Sequence, residues 1–202
     1  MSSLLTGLLQ RPDPDPRLPA VQPTLTTPRL TLRPFTLTDA PRVALLAGDK
    51  RISATTATVP HPYSLTEAEA WVGKLAGFYT EGSNVVFAVT TTADTQLVGA
   101  IGLQLTLKHH HAELGYWTGV EFWNHGYTTE AARALLTFAF EGIGLNRVHA
   151  HFFATNHASG RVMVNCGMSF EGVRRQHVYK WGARHDAVCY GILASEWRAQ
   201  NA

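Results

Sequence analysis

A turn at Gly126, between an apolar strand and a helix, is the part of this sequence best suited to hold an anion. The strand ends in Trp117 and Thr118, and the helix after the turn repeats its apolar residues at helical spacing. Residues Asn124–Thr129 offer a run of backbone N–H groups with no acidic side chain among them. Because the first N–H groups of a helix lack partners and the helix dipole favours negative charge, the turn predicts a phosphate or pyrophosphate site. An ordinary strand-to-helix connection is the alternative interpretation.

Histidine and cysteine side chains could also do chemistry, but we expect no metal site. The run His109–His111 falls in a turn between two predicted strands, where exposed histidines are the simpler interpretation. Cys166 and Cys189 lack the spacing of a metal site or of a disulfide framework, and Cys166 fits a place in the core. His149 and His151 share one face of a predicted strand, so one of them could line an acceptor site.

Length and composition narrow the class of protein. The 202 residues suit a single domain, with 45% hydrophobic and 16% charged residues. A formal net charge of +2 gives no general basic surface, which argues against a nucleic-acid partner. No apolar run approaches the length of a membrane span, and the two cysteines suit a reducing compartment, so we expect a cytoplasmic protein without a membrane partner.

The chain divides into a proline-rich N-terminal arm, residues 1–27, and a folded domain, residues 28–198. Five prolines within the arm predict an extended segment, which we expect to be dispensable for catalysis. The first half of the domain is expected to hold a strand from Arg29, a short helix from Thr38 to Gly48, a loop over Arg51–Tyr63, and an amphipathic helix that Ser64 and Glu67 open with a capping box.

The second half of the domain alternates strands with two helices. The expected elements are strands at Val85–Val89, Leu97–Leu103, Glu113–Trp117 and Arg147–Ala154, a helix after Gly126, a helix over His157–Asn165 that ends at Gly167, and two last strands at Met168–Lys180 and His185–Leu193. This order predicts an α/β fold, a mixed sheet flanked by helices.

The order and its motifs resemble the GNAT superfamily of acetyl-CoA-dependent N-acetyltransferases, and within it the ribosomal-protein N-terminal acetyltransferases and their relatives. The resemblance covers about residues 25–197. Four stretches carry it: TPRLTLRPFTLTDA at 27–40, ELGYWTGVEFWNHGYTTEAARALLTFAF at 113–140, GLNRVHAHFFATNHASGRVMVNCGMSFEG at 144–172, and the closing strand pair. It implies the GNAT acyl-CoA N-acyltransferase fold, in which the strands at 113–117 and 147–154 splay apart to admit the cofactor arm.

The resemblance implies that the Gly126 turn holds the pyrophosphate of coenzyme A. Asn124 and Thr128 stand where the family often has glycine or a small residue, but Asn tolerates left-handed backbone angles and Thr128 adds a hydroxyl donor. The cofactor-binding residues implied in this way are Trp117, Thr118, Asn124, His125, Gly126, Tyr127, Thr128, Thr129, Asn156, Ser159 and Arg161. Capping of the next helix is the alternative role for Asn156, and exposure to solvent is the alternative for Arg161.

Acetyl transfer to an amine needs a base, and an acid can help the thiol to leave. Glu113, on the splayed strand, and Glu121, beside the cofactor turn, are the two candidate bases. Partial burial would raise the pKa of Glu113, whereas a cross-strand ion pair is its alternative role. Met163 stands where many members of the superfamily have a tyrosine acid, so Ser159 in the Asn-x-x-Ser motif is the candidate to assist the thiol. Helix capping is the alternative role of Ser159.

No motif in the sequence identifies the acceptor. The resemblance implies acetyl-CoA as co-substrate, no metal, and a primary amine acceptor, either the N-terminus of a peptide or ribosomal protein or a small molecule such as an antibiotic. A homodimer is also implied as a possible assembly. A decayed acyl-CoA-binding module is the alternative from another functional class.

Overall fold

The computed structural model describes residues 15–201, so residues 1–14 of the expected arm lie outside the described residues. One eight-stranded sheet forms the centre of the molecule. Its strands are β1 (Leu25–Thr26), β2 (Leu30–Pro34), β3 (Asn84–Thr91), β4 (Leu97–Thr106), β5 (His111–Thr118), β6 (Arg147–Phe153), β7 (Ser169–Lys180) and β8 (Ala183–Leu193). Their order across the sheet is β1-β2-β3-β4-β5-β6-β8-β7, and every pair except β5–β6 is antiparallel. The expected mixed α/β sheet is confirmed.

Helices cover both faces of this sheet. They are α1 (Ala40–Ala47), α2 (Lys50–Thr55), α3 (Leu65–Thr80), α4 (Tyr127–Thr137), α5 (His157–Asn165) and α6 (Ala194–Gln200), with α4 continued by a wider π-helical segment, Phe138–Ile143. The main core packs α4, α5 and α6 on one face, and a smaller core packs α1 and α3 on the other. None of the helices among the described residues combines the length and apolarity that a membrane crossing needs.

Helix α4 carries the apolar stripe that the sequence predicts. Ala132, Leu135, Leu136, Ala139 and Phe140 are all buried in the main core, with at most 2% of each residue exposed. The stripe therefore fixes the start of α4, and the turn before it, against the strands of the sheet.

Two helices differ from the sequence prediction. The segment Arg51–Tyr63, expected to be a loop, begins within α2, because the Asp49 side chain accepts a hydrogen bond from the backbone N–H of Arg51 and caps that helix. The C-terminal α6 was not predicted. There the Glu196 carboxylate reaches back to the backbone N–H of Leu193, which starts the helix directly after β8.

The described part of the proline-rich segment, residues 15–27, is extended but packs on the domain. Leu25 and Thr26 pair with β2, ahead of residue 28, where we expected the domain to begin. Leu18 and Leu25 contact the main core. The Tyr79 hydroxyl donates to the carbonyl of Pro19 at 2.7 Å. These residues therefore belong to the folded unit.

The sheet opens between its two parallel strands, as expected for the splayed pair. Strands β5 and β6 pair over three residues, from His111 with Arg147 to Glu113 with His149. Beyond Glu113, β5 goes on pairing with β4 while β6 pairs with β8. The backbone edge of β5 is therefore open from Leu114 onward, where an added extended chain could pair with it.

Candidate active site

The turn before α4 presents its N–H groups outward through two left-handed residues. Asn124 has φ +63° and Gly126 has φ +77°, so asparagine does adopt the backbone conformation that glycine usually provides. Within residues 15–201, no acceptor takes up the backbone N–H groups of Asn124–Thr129, and the first helical bond here runs from Glu130 to the carbonyl of Gly126. Six consecutive free N–H groups at a helix N-terminus form a site for an anion. We call residues 124–129 the cradle.

Arg29 braces the cradle from the start of β2, a role that the sequence analysis missed. Its guanidinium donates to the carbonyl of His125 at 3.0 Å and pairs with the Glu130 carboxylate at 2.6 Å. The same guanidinium lies 4.9 Å from the centre of the Tyr127 ring, on which His125 stacks. These contacts fix the turn from its outer side.

One hydrogen bond joins the end of β5 to the cradle, and a second joins it to Trp123, the residue before the cradle. The hydroxyl groups of Thr118 and Thr128 lie 2.8 Å apart, and the indole N–H of Trp123 donates to the carbonyl of Thr118 at 2.8 Å. The Thr128 hydroxyl, expected to serve a phosphate, thus has a protein partner as well.

A cavity of about 750 Å³ connects the cradle with the opposite face of the sheet through the opening between β5 and β6. Most of the residues predicted to bind the cofactor line it: Trp117, Thr118, Asn124, Gly126, Thr128, Thr129, Asn156, Ser159 and Arg161. His125 and Tyr127 are not among the lining residues of the described chain; they form the stacked pair under Arg29. The structure therefore brings nine of the eleven predicted residues to one space.

Helix α5 contributes a pair of hydroxyl groups to this cavity. The Asn156 side chain caps α5 by accepting from the backbone N–H of Ser159 at 3.3 Å, so its expected capping role is present. The Ser159 hydroxyl lies 2.8 Å from the hydroxyl of Tyr116, a β5 residue that the sequence analysis missed. Burial raises the pKa of Tyr116, which keeps its phenol protonated. A tyrosine on an apolar strand face needs a partner for its hydroxyl, and that need was the available signal.

Glu113 lines the cavity, but its expected rise in pKa is wrong. Contacts with His149 and then with His151 lower its pKa far below the usual range and outweigh the opposing effect of burial. One carboxylate oxygen lies 2.8 Å from Nδ1 of His151, and the other lies 3.6 Å from Nε2 of His149. The imidazole of His151 is turned so that its Nδ1 lacks hydrogen-bond alignment, so this is a close polar contact. The alternative role of Glu113, as the cross-strand partner of a basic residue, is therefore present.

Glu121, the second candidate base, lies elsewhere. Its carboxylate is paired with Arg42, and its side chain is 53% exposed. It is absent from the described residues that line the cavity. The geometry favours Glu113 over Glu121 as the carboxylate near the reacting groups.

A polar row crosses the sheet on the face covered by α1 and α3. Asn84, Gln104, Glu113 and His149 are successive cross-strand neighbours in β3, β4, β5 and β6. The next row holds Gly102 and Gly115, which leave the sheet surface bare. We call residues 84, 104, 113 and 149 the polar row.

Thiol and metal chemistry have little support in this structure. Burial raises the pKa of the Cys166 thiol to about 11, which makes it a poor nucleophile, and the residue is buried in the core as expected. Across residues 15–201, no three His, Cys, Asp or Glu side chains converge as metal ligands would. The histidine run is only partly in a turn, because His111 begins β5 and stands beside His149.

Comparisons with known proteins agree on one family. The profile of the acetyltransferase (GNAT) domain matches residues 29–169. The uncharacterized N-acetyltransferase YoaA of Bacillus subtilis is 30% identical over 172 residues, covering 85% of this chain and 97% of that protein. The ribosomal protein uS5-alanine N-acetyltransferase of Escherichia coli is 22% identical over 131 residues, covering 64% and 68%.

Solved structures share the fold. An acetyltransferase of the GNAT family from Bacillus anthracis superposes with a TM-score of 0.77 at 26% identity, over 85% of this chain and 99% of that one. RimL, the ribosomal L7/L12 α-N-protein acetyltransferase solved with coenzyme A, gives 0.79 at 18% identity, over 85% and 98%. At that identity the second likeness concerns the fold alone.

Proposed function

The chain belongs to the GNAT acetyltransferase family and is an N-acetyltransferase, and from that premise we propose that it acetylates the α-amine at the N-terminus of a peptide or protein. Acetyl-CoA supplies the activated acetyl group as a thioester. The protein must hold this co-substrate, admit the amine from the other side, and manage two protons. Each task has candidate residues in the cavity.

The cradle supports pyrophosphate binding. Its six free N–H groups would hold the phosphates, and the left-handed φ of +77° at Gly126, where a Cβ would lie 3.4 Å from the Arg29 guanidinium, favours glycine. Arg161, at the same end of the cavity, supplies a positive charge for a phosphate. We assign the rest of the predicted cofactor set, Trp117 and Thr118 on β5 and Asn156 on α5, to the walls along the cofactor arm.

The hydroxyl pair Tyr116–Ser159 supports departure of the thiol. Both residues line the cavity where the strands have separated, and each hydroxyl can pass a proton to the other. In this proposal Ser159 donates a proton to the leaving sulfur, and Tyr116 orients the Ser159 hydroxyl. A thiolate is a fair leaving group unaided, so the assistance adds to the rate without being essential.

One observation carries the choice of acceptor, which is the chemistry of the three polar-row residues that line the cavity, Asn84, Gln104 and Glu113. Among the described residues that line the cavity, Glu113 is the sole carboxylate, and it stands among uncharged amides, Asn84 and Gln104. A single carboxylate suits a single ammonium, and side-chain amides suit the peptide groups next to it. A polyamine or an aminoglycoside would call for several carboxylates. The open surface at Gly115, where an added Cβ would meet no atom within 4 Å, leaves room for a backbone to approach.

A panel of acceptors tests this proposal. Synthetic peptides with a free N-terminus and one internal lysine would be incubated with acetyl-CoA, beside the same peptides with a formylated N-terminus, polyamines and aminoglycosides. We expect fragment mass spectra to place the acetyl group on the α-amine, and formylated peptides to stay unmodified. Transfer only to lysine or to small amines would overturn the assignment. Coenzyme A binding without transfer to any acceptor would favour the binding module instead.

A further inference from the structure

His151 lies on β6 two residues beyond His149, the last residue of that strand that pairs with β5. Glu113 stands opposite His149. Continued at the same register, β5 would place Gly115 opposite His151, but there the strands have separated. His151 therefore faces a gap edged by a residue without a side chain. Its imidazole lines the cavity, whereas that of His149 does not, within the described chain.

The two nitrogens of the His151 ring have different surroundings. Nδ1 is buried and lies 2.8 Å from the Glu113 carboxylate, and a small rotation of the ring would align an N–H with that oxygen. A proton held on Nδ1 leaves a lone pair on Nε2, the nitrogen on the other side of the ring. The carboxylate thereby selects the tautomer that can accept a proton from the cavity.

Glu113 itself is badly suited to accept that proton. The histidines that flank it lower its pKa, so the carboxylate remains charged and binds protons weakly at neutral pH. A general base works best when its pKa lies near the working pH, which is the range of an imidazole. The pair thus divides the work between a carboxylate that orients the ring and an imidazole that accepts the proton.

We propose that His151 is the catalytic base of the transfer, with Glu113 as its positioning residue. The inference rests on the proposed N-acetyltransferase reaction but not on which amine is the acceptor. Charged and titratable groups face His151 from each strand around it: Glu113 on β5, His149 on β6, His177 on β7 at 6.2 Å between ring centres, and Cys189 directly opposite on β8.

The proton balance is simple. Nε2 of His151 takes a proton from the ammonium of the acceptor, which breaks an N–H bond and frees the nitrogen lone pair. The nitrogen then bonds to the carbonyl carbon of the thioester as the carbon–sulfur bond breaks. The sulfur leaves as a thiol with the proton of the Ser159 hydroxyl, the second proton of the nitrogen restores that hydroxyl, and the imidazolium releases its proton to solvent. One acetamide, one thiol and one proton result.

The test compares His151→Gln with His149→Gln, a matched control on the same strand and the same face. His149 also contacts Glu113 but does not line the cavity. For His151→Gln we expect kcat at pH 7 to fall by about 10²–10⁴-fold, the usual range for a lost general base, with coenzyme A affinity unchanged. The rate should recover partly when imidazole is added and as pH is raised toward the pKa of the amine. His149→Gln should lose less than about tenfold and should not respond to imidazole.

Glu113→Gln gives a further readout. It should lower kcat and displace the acidic limb of the pH–rate profile, because the His151 ring loses the carboxylate that orients it. Added imidazole should not restore the rate of this variant. Equal rates for His151→Gln and wild type, with any amine that the wild type acetylates, would overturn the assignment of His151 and leave the N-acetyltransferase reaction standing. If the wild type acetylated lysine or a small amine alone, the peptide proposal would fail while the His151 test remained valid. A wild type that acetylates no amine would overturn both.

Discussion

The phenol of Tyr116 and the hydroxyl of Ser159 lie 2.8 Å apart and connect β5 to α5 at the opening of the sheet. The phenol also donates to the backbone carbonyl of Ser159 at 3.1 Å. Because β5 and β6 no longer pair at this level, these contacts help to hold the width of the cavity. The pair has this structural task in addition to the role that we propose for it, the protonation of the leaving thiolate.

Tyr116→Phe should therefore slow acetyl transfer while leaving the fold intact. One hydrogen bond is worth about 0.5–1.5 kcal/mol, so we expect a loss of about 2- to 12-fold in single-turnover rate with acetyl-CoA. Ser159→Ala should lose a similar amount, and the double variant should lose less than the product of the two, since both act through one contact. Tyr79→Phe is the control, because it removes a hydroxyl bonded to Pro19, a residue that does not line the cavity. Strictly additive losses would contradict a shared role.

The sequence predicted those parts of the site that depend on local pattern. The left-handed turn at Asn124 and Gly126 and the apolar stripe of α4 are written in residues close together in the chain. The fold followed from the order of such elements. The lowered pKa of Glu113 comes from two histidines on β6, some 36 residues away in the chain. The pairing register of β5 with β6 places them there, and the sequence alone does not give that register.

Other features that the sequence analysis did not predict have the same physical origin. The partner of Ser159 comes from β5, and the brace on the cradle comes from Arg29, which is 96 residues distant from His125. Helix α2 was missed because it is only six residues long and leads into a segment rich in threonine and proline, and its Asp49 cap outweighs this weak intrinsic preference. Contacts between distant residues and single caps decide such features.

The cradle predicts the response of coenzyme A binding to charge. Gly126→Glu should weaken binding by more than tenfold in calorimetric titration, because a carboxylate would oppose phosphates and a charged hydrogen bond is worth about 1.5–3 kcal/mol. Gly182→Glu is a matched control, since Gly182 has φ +79°, nearly the same backbone strain, at the tip of the β7–β8 hairpin. Unchanged affinity in a folded Gly126→Glu variant would remove the cradle from the site.

Glu130 predicts a pH dependence of stability. Burial would raise its pKa, but hydrogen bonds from Thr27 and from Arg29 outweigh that effect and lower it. A carboxylate that is more acidic when folded stabilises the protein above its unfolded pKa of about 4.3, and this contribution is lost as the pH falls through the folded pKa. Glu130→Gln should therefore cost about 1–3 kcal/mol in urea unfolding at pH 7, with the difference shrinking below pH 4. Glu141→Gln, an exposed control, should show neither effect. A constant difference from pH 7 to pH 3 would refute the ionic interpretation.

Lys180 predicts a separate effect on the acceptor. Its ammonium, whose pKa burial lowers, donates to the carbonyls of Thr56 and Val59, which line the cavity on the side where we propose that the acceptor binds. Lys180→Met keeps the apolar stem and loses the donors, so we expect KM for the acceptor to rise by about 2- to 12-fold with coenzyme A affinity unchanged. Faster amide exchange over residues 56–59 should accompany it. Lys74→Met, at an exposed site on α3, should change neither, and an equal effect from both variants would mean that loss of charge alone is responsible.

The N-terminal segment gives the last prediction, which reverses the expectation that all of residues 1–27 are dispensable. Leu18 and Leu25 pack on the main core, and β1 extends the sheet. The Gln22 side chain donates to the carbonyl of Val86, a residue of the cavity wall. Removing residues 1–27 should therefore lower the free energy of unfolding by roughly 3–5 kcal/mol relative to removing residues 1–14, a deletion that spares each of these contacts.

Denaturant titration of the two truncated proteins would measure that difference, and acceptor kinetics would follow its effect on the cavity. We expect KM for the acceptor to rise in the longer deletion, because the carbonyl of Val86 in the cavity wall loses its hydrogen bond from Gln22. The affinity of the cradle for coenzyme A should stay the same. Equal unfolding free energies for the two truncated proteins would show that the contacts of residues 15–27 add nothing to the fold. Full activity in the longer deletion would return the segment to the role of a dispensable arm.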